Sequence, residues 1–302
     1  MMNYRTTWFV CISAALLLSC TNIIPSQPAP TELNELIKRM DANQKEASQR
    51  EDEQPLVRRM SLRRMFPDRQ VRALASAAGK GRLERIEQLV AQGVDVNARG
   101  TSGATPLYWS FRRRNVSGFK KLLEIGADPN VIHEDGTSIM YFVATEENLE
   151  FLRLALEFGA DPNLVSGRRE RSIDHPEWAF SGHTPLFHVA IFNPNAIEAV
   201  DLLLEYGADI NARTRRIGRT GRSVSLLMSS TSGGKYYLTL HLLEHGADYT
   251  FVNEVGDSLM TRLTRDWLGY KPDTPERRKV IADMQKVVDW LAERGVEIPD
   301  SN

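Results

Sequence analysis

Apolar residues recur along the chain in one arrangement. Adjacent leucines stand shortly before a glycine in Leu122-Leu123 before Gly126, Leu203-Leu204 before Gly207 and Leu242-Leu243 before Gly246. In the first of these, Lys120, Lys121 and Glu124 surround the leucines, so the stretch predicts a short helix with one apolar stripe. The glycine predicts its end, because glycine enters the left-handed region without a steric cost. Upstream, Thr105-Pro106-Leu107-Tyr108 and Thr184-Pro185-Leu186-Phe187 predict the start of another helix, with threonine as cap and proline in the first turn. After the glycine, Asp128 and Asn130 suit a turn. The closing stretches are Gly93-Val94-Asp95-Val96-Asn97, Gly126-Ala127-Asp128-Pro129-Asn130, Gly159-Ala160-Asp161-Pro162-Asn163, Gly207-Ala208-Asp209-Ile210-Asn211 and Gly246-Ala247-Asp248-Tyr249-Thr250. Glycines 93, 126 and 159 are 33 residues apart; the next intervals, to 207 and 246, are 48 and 39. A fixed period of this length means stacked units, since one helix pair cannot bury its own apolar faces.

The other units align on the same glycine. Ala73 to Ala78 and Leu83 to Gln92 form the first, with Gly81 at the turn. Gly136 to Tyr141 opens the third, and Phe151 to Phe158 is its second helix. Gly182 to Phe187 opens the fourth, with an Asn193-Pro194-Asn195 turn, and Ser225 to Met228 opens the fifth. A sixth runs from Gly256 to Gly295. Its cap-to-glycine span, Ser258 to Gly295, is 37 residues where Thr105 to Gly126 is 21, so its turn is expected to hold 16 extra residues, including Trp267, Tyr270, Pro272 and Pro275. Its last helix, Lys279 to Arg294, is charged on one side, as a terminal unit must be.

Residues 103–130 resemble the ankyrin repeat, G-x-T-P-L-H, helix, turn, helix, L-L-x-x-G-A-D-x-N. The resemblance implies an all-α ankyrin-repeat solenoid of about five or six helix-turn-helix units with short β-hairpin fingers, covering residues 68–298. One departure is consistent: Tyr108, Tyr141 and Phe187 stand where the family has the histidine of T-P-L-H. Packing is expected to replace that histidine's hydrogen bond.

The N-terminus follows another logic. Arg5 precedes an apolar run from Trp8 to Leu18, shorter than the roughly 20 residues a membrane-spanning helix needs. The run ends in Leu17-Leu18-Ser19-Cys20, which resembles the lipobox of bacterial lipoproteins. That family implies a signal peptide over 1–19, lipid on the Cys20 thiol, and, with Thr21 following, placement on the outer membrane facing the periplasm. Two or three acyl chains there would hold the protein firmly on a membrane, since a single acyl chain binds marginally. Residues 20–54 read as a tether: a spacer around Pro25, Pro28 and Pro30, then a polar helix with a thin apolar stripe of Leu33, Leu36, Ile37 and Met40. Residues 55–67 hold Arg58, Arg59, Arg63 and Arg64 among Leu62, Met65 and Phe66. They read as a cap packed on the first unit, or as a basic patch facing acidic lipid or an acidic partner.

The bulk composition narrows the function. The 302 residues are 42% hydrophobic with a net charge of −1, giving no general pull toward nucleic acid. The two cysteines, Cys11 and Cys20, both precede the repeats, so no thiolate metal site or disulfide framework is expected there. No G-x-S-x-G elbow or phosphate loop is present. Ser232-Gly233-Gly234-Lys235 reads as a turn. His241-Leu242-Leu243-Glu244-His245 matches the zinc-peptidase pattern H-x-x-E-H, but it sits in the repeat helix and the sequence places no third ligand; it is read as structural. His175, His183 and Asp174 could ligate a metal or form a polar loop. The expectation is a chain without catalytic residues, cofactor or small-molecule substrate.

By the ankyrin resemblance, a protein partner would meet the fingers and first-helix face. Those positions are Arg99, Thr101, Arg112 and Arg113, then Glu134 and Glu146, then His183, Ile191 and Phe192. Insertions near 166–180 and 213–222 interrupt the period, with Trp178 and Phe180 in the first and Arg216 and Arg219 in the second. Arginine and aromatic residues are enriched at binding hot spots, and insertions off a regular scaffold often carry function. A third insertion is expected near 264–278. Ankyrin lipoproteins of this kind resemble immunity proteins that neutralise phospholipase effectors of type VI secretion. That resemblance implies occlusion of a secreted lipase in the periplasm, the alternative being an envelope scaffold or stress-protection factor with an endogenous partner.

Overall fold

A computed structural model describes residues 60–165, 183–214, 222–269 and 271–296. All fall within one compact unit, Pro55–Asn302. Cys20, Trp178, Phe180, Arg216 and Arg219 lie outside the described residues, as do residues 1–54, where a signal peptide and tether are expected.

A short helix, α1 (Leu62–Met65), precedes antiparallel helix pairs. These are α2 (Arg69–Gly79) with α3 (Leu83–Ala91), α4 (Pro106–Arg112) with α5 (Val116–Glu124), and α6 (Ile139–Val143) with α7 (Glu150–Glu157). There follow α8 (Pro185–Phe192) with α9 (Ala196–Glu205), α10 (Leu226–Ser230) with α11 (Tyr236–Glu244), and α12 (Leu259–Gly269) with α13 (Pro275–Ala292). First helices pack on first helices and second on second: α2 meets α4 and α8 meets α10, while α3 meets α5 and α11 meets α13. The arrangement is the all-α, two-layer stack expected of ankyrin-like pairs. Where fingers are expected, the described residues hold isolated antiparallel bridges, Ile132 with Ser138, Arg213 with Ser225 and Val252 with Ser258, and no extended strand.

The leucine pairs are buried except for Leu204, which is half-buried. Leu122, Leu203 and Leu242 are fully buried, and Leu123 and Leu243 nearly so. Each fully buried leucine contributes roughly 1.5–3 kcal/mol. The same leucines close their helix. Gly126 N–H donates to the Leu123 carbonyl and Ala127 N–H to that of Leu122, and the pattern repeats at Gly207 and Gly246. Gly126 sits at φ 93°, which makes this cap possible. At the other end, Thr105 Oγ1 accepts from Tyr108 N–H at 3.2 Å and Ser138 Oγ from Tyr141 N–H at 3.2 Å. Thr184 stands at the same place before α8, yet its hydroxyl accepts no capping bond.

The closing motif does more than turn the chain. Asn97 donates its amide to the Gly126 carbonyl at 2.9 Å and accepts from Asp128 N–H at 2.8 Å. Asn130 does the same to Gly159 and Asp161, and Asn163 to Gly207 and Asp209. Asn211 accepts from Asp248 N–H at 2.8 Å. These asparagines form a ladder joining each pair to the next. At the last copy Thr250 replaces asparagine, and its hydroxyl turns back to Asp248 at 2.6 Å.

Of the two readings of residues 55–67 the buried residues favour one, whereas the last unit differs from expectation. The segment around Leu62–Phe66 is a cap: Met60, Met65 and Phe66 are buried, while Arg63 and Arg64 are exposed. In the last unit the extra residues do not make a long turn. They lengthen both helices, α12 to 11 residues and α13 to 18, and only a short connection lies between. No described helix is long and apolar enough to cross a membrane.

Candidate protein-binding surface

The first-helix layer has a groove between α4 and α6, about 320 Å³ in volume. Tyr108, Phe111, Tyr141 and Phe142 line it, with Arg112, Arg114, Thr145 and Glu146 around them. The helices bring these rings together because both start from a capped Thr105 or Ser138 and present the same face. Tyr108 and Phe142 lie with ring centroids 5.0 Å apart, Phe111 and Phe142 6.1 Å apart, and Tyr141 meets Phe142 edge-on at 5.0 Å. Tyr108 is buried, whereas Tyr141 and Phe142 are half-buried and reachable from solvent.

The rim is charged. Arg114 and Glu146 form a two-point ion pair at 2.7 and 3.1 Å. Arg114 holds φ 52°, an unusual value for a long side chain, in the turn between α4 and α5. Asn115 fixes that turn by accepting from Gly118 N–H at 2.8 Å. The groove thus offers an apolar floor with a guanidinium and a carboxylate at its edge. Its volume lies at the low end of the roughly 300–1,000 Å³ of small-ligand pockets, and suits one or two side chains of a partner.

Aromatic pairs occupy the place of the family histidine. Tyr108 packs edge-on to His133 at 4.9 Å, Tyr141 to His188 at 4.6 Å, and Phe187 stacks on His183 at 4.9 Å. Burial pushes His133 and His183 down to about 4 and His188 to about 3. All three rings are therefore neutral at pH 7 and serve as packing.

The residues singled out in the sequence fall into distinct settings. Arg112 and Glu146 reach the groove. Arg112 also donates to the Met60 carbonyl and lies over the Trp109 ring, 5.1 Å from its centroid. Thr101 donates to the Arg64 carbonyl at 2.8 Å, so it and Arg112 hold the N-terminal cap. Arg99 reaches the Ile132 carbonyl at 3.4 Å. Arg113 and Glu134 are exposed, His183 is buried, Ile191 is half-buried and Phe192 is exposed. The Ile191 carbonyl accepts from Lys235 Nζ at 2.9 Å, as does that of Ala190, so the Ser232–Lys235 turn caps the preceding first helix. Tyr108, Phe111, Arg114, Tyr141 and Phe142 were not among the expected contacts. Counting one residue past the T-P-L-H aromatic would have found Phe142; nothing in the spacing marks Arg114.

Residues 115–214 match the family profile described as ankyrin repeats (3 copies). No curated protein matches the chain. The matched region runs from the second helix of one pair to the start of the expected second insertion, and is narrower than the 68–298 expected from the sequence pattern. The chain carries an ankyrin-repeat module, a scaffold for protein–protein interaction.

Proposed function

We propose that the chain is a non-catalytic binding protein that holds a protein partner on its first-helix face, with the groove between α4 and α6 as the anchor point. One juxtaposition supports this reading: four aromatic rings from two successive helix pairs surround a groove rimmed by Arg114 and Glu146. A partner side chain entering it would displace water from ring faces while meeting both charge signs at the edge. Tyr141→Ala should weaken such a complex by about 2 kcal/mol, some thirtyfold, as hot-spot truncations do. An unchanged affinity for a variant that folds normally would move the anchor elsewhere.

The finer reading places this module in the periplasm on a lipid at Cys20, where it occludes a phospholipase effector delivered by type VI secretion. The signal-like run ending at Cys20 and the resemblance to immunity lipoproteins support it. Cys20→Ser should release the protein from membranes, and retention would refute the anchor. Copurification from the native host with mass spectrometry should recover a lipase. Recovery of resident envelope proteins alone would replace the immunity role with that of an envelope scaffold or stress-protection factor.

A further inference from the structure

The second-helix layer carries a cluster that the binding reading does not use. His241 lies in α11 and His245 caps it, one turn apart on the same face. Asp201 projects from α9 of the preceding pair. Asp201 Oδ1 lies 2.6 Å from His241 Nε2 and 3.8 Å from His245 Nε2, and the three donor atoms fall within 4.8 Å of one another. Among the described residues this is the one such grouping of histidine and acid side chains.

Repeat register explains how it arises. Asp201 stands six residues before its closing glycine, Gly207, and Glu87 stands six before Gly93. His241 and Lys121 each stand five before theirs, Gly246 and Gly126. The stack brings these two positions together, for Glu87 and Lys121 form an ion pair between α3 and α5. Between α9 and α11 the lysine is replaced by histidine. A second histidine, His245, is added where the preceding units have Gln92, Ile125, Phe158 and Tyr206. An ion pair needs one cation partner; the second imidazole is the addition that a salt bridge does not require.

We propose that Asp201, His241 and His245 bind one divalent transition-metal cation of the zinc class, cross-linking two successive helix pairs. The donor chemistry fits, since two imidazoles and a carboxylate suit zinc, cobalt or nickel better than magnesium or calcium. The spacing fits as well. Bonds of about 2.0–2.1 Å in a tetrahedral shell put donors about 3.3 Å apart, between the two observed distances. His245 is oriented for the task. Its Nδ1 lies 2.8 Å from the His241 carbonyl, which can only accept, so Nδ1 carries the proton and Nε2 presents its lone pair to the cluster. At His241 the ion would replace the proton that Nε2 shares with Asp201, the ring taking its other tautomer. Asp201 and His245 are exposed enough for an ion to enter from solvent. Three protein donors leave a position for water. Glu244, the acid of the H-x-x-E-H pattern, is not part of the cluster.

The test is titration of the full chain, purified without a histidine tag and stripped with EDTA, using zinc chloride by calorimetry and cobalt chloride by visible absorption. The expected result is one equivalent bound. His245→Gln and Asp201→Asn should each weaken binding at least tenfold, since even outer partners of ligands cost roughly 10–100-fold. Thermal melts without metal should show both variants folded, as expected of exposed side chains; should one fail to fold, the other carries the test. Failure of the full chain to bind stoichiometrically would overturn the proposal. So would binding that survives both substitutions, which would assign the ion to other residues.

Discussion

Asparagine in the closing motif is the residue on which neighbouring pairs depend most directly. Asn130 makes two bonds across the interface, to the Gly159 carbonyl and from Asp161 N–H, at 2.9 and 2.7 Å. Its alanine variant leaves both backbone groups without a protein partner. Net loss should be about 1–3 kcal/mol, read as a lower urea midpoint with an unchanged slope. Asp128→Ala removes only the local turn bond to Asn130 N–H and should cost less. The sequence made the motif visible as a turn and as a ruler. It did not make the ladder visible, because the bond partner of Asn130 is 31 residues away and looks like one more copy of the same turn. The groove had the same difficulty. Tyr141 was legible as an aromatic in place of histidine, but its partnership with Phe111 and Arg114 depends on how two helices face each other.

Helix contacts decide the sign of another substitution. Gly118 lies inside α5, where alanine would be favoured by about 1 kcal/mol on helix propensity alone. Yet a Cβ there would come within 2.0 Å of the Ala78 carbonyl oxygen in α2. That contact is with backbone, which cannot turn aside, so the second helix of one pair would have to lift off the first helix of its neighbour. Gly118→Ala should therefore destabilise, by about 1–3 kcal/mol net, and a stabilised variant in urea denaturation would show that α5 does not approach so closely. The elements themselves were largely legible, since leucine pairs, caps and closing glycines all coincide. The exception is α13. Thr274-Pro275 carries the same start signal as Thr105-Pro106, and Thr274 Oγ1 accepts from Arg277 N–H at 3.2 Å. The period draws attention to a turn of standard place, and the extra residues therefore read as loop; in the structure the helix starts earlier, at Pro275.

At the scale of the molecule, the buried histidines give the stack an acid limit. His133, His183 and His188 are held down chiefly by burial; for His133 the Asp135 charge works the other way and Arg99 assists, and for His188 the neighbouring His183 assists. In an unfolded chain each would titrate near 6.5. Above that pH both states are neutral and their contribution to stability is complete. Below it the unfolded chain takes up protons that the folded stack refuses, so stability falls until the folded values near 4 and 3 are reached. Each histidine costs about 1.4 kcal/mol per pH unit in that window, and the three together up to about 4. Asp248 does not blur this. The Thr250 hydroxyl and N–H hold it below its ordinary 3.8, so its contribution is lost only at more acid pH. Urea midpoints measured from pH 7.5 to 4.5 should be level down to about 6.5 and then decline steeply. His188→Leu should make the decline shallower by about a third, whatever it does to the stability at pH 7.5, because one of the three proton-refusing sites is gone. A midpoint constant from pH 7 to pH 5 would mean that the rings between Tyr108, Tyr141 and Phe187 reach water, and that the first-helix layer is looser than its packing distances imply.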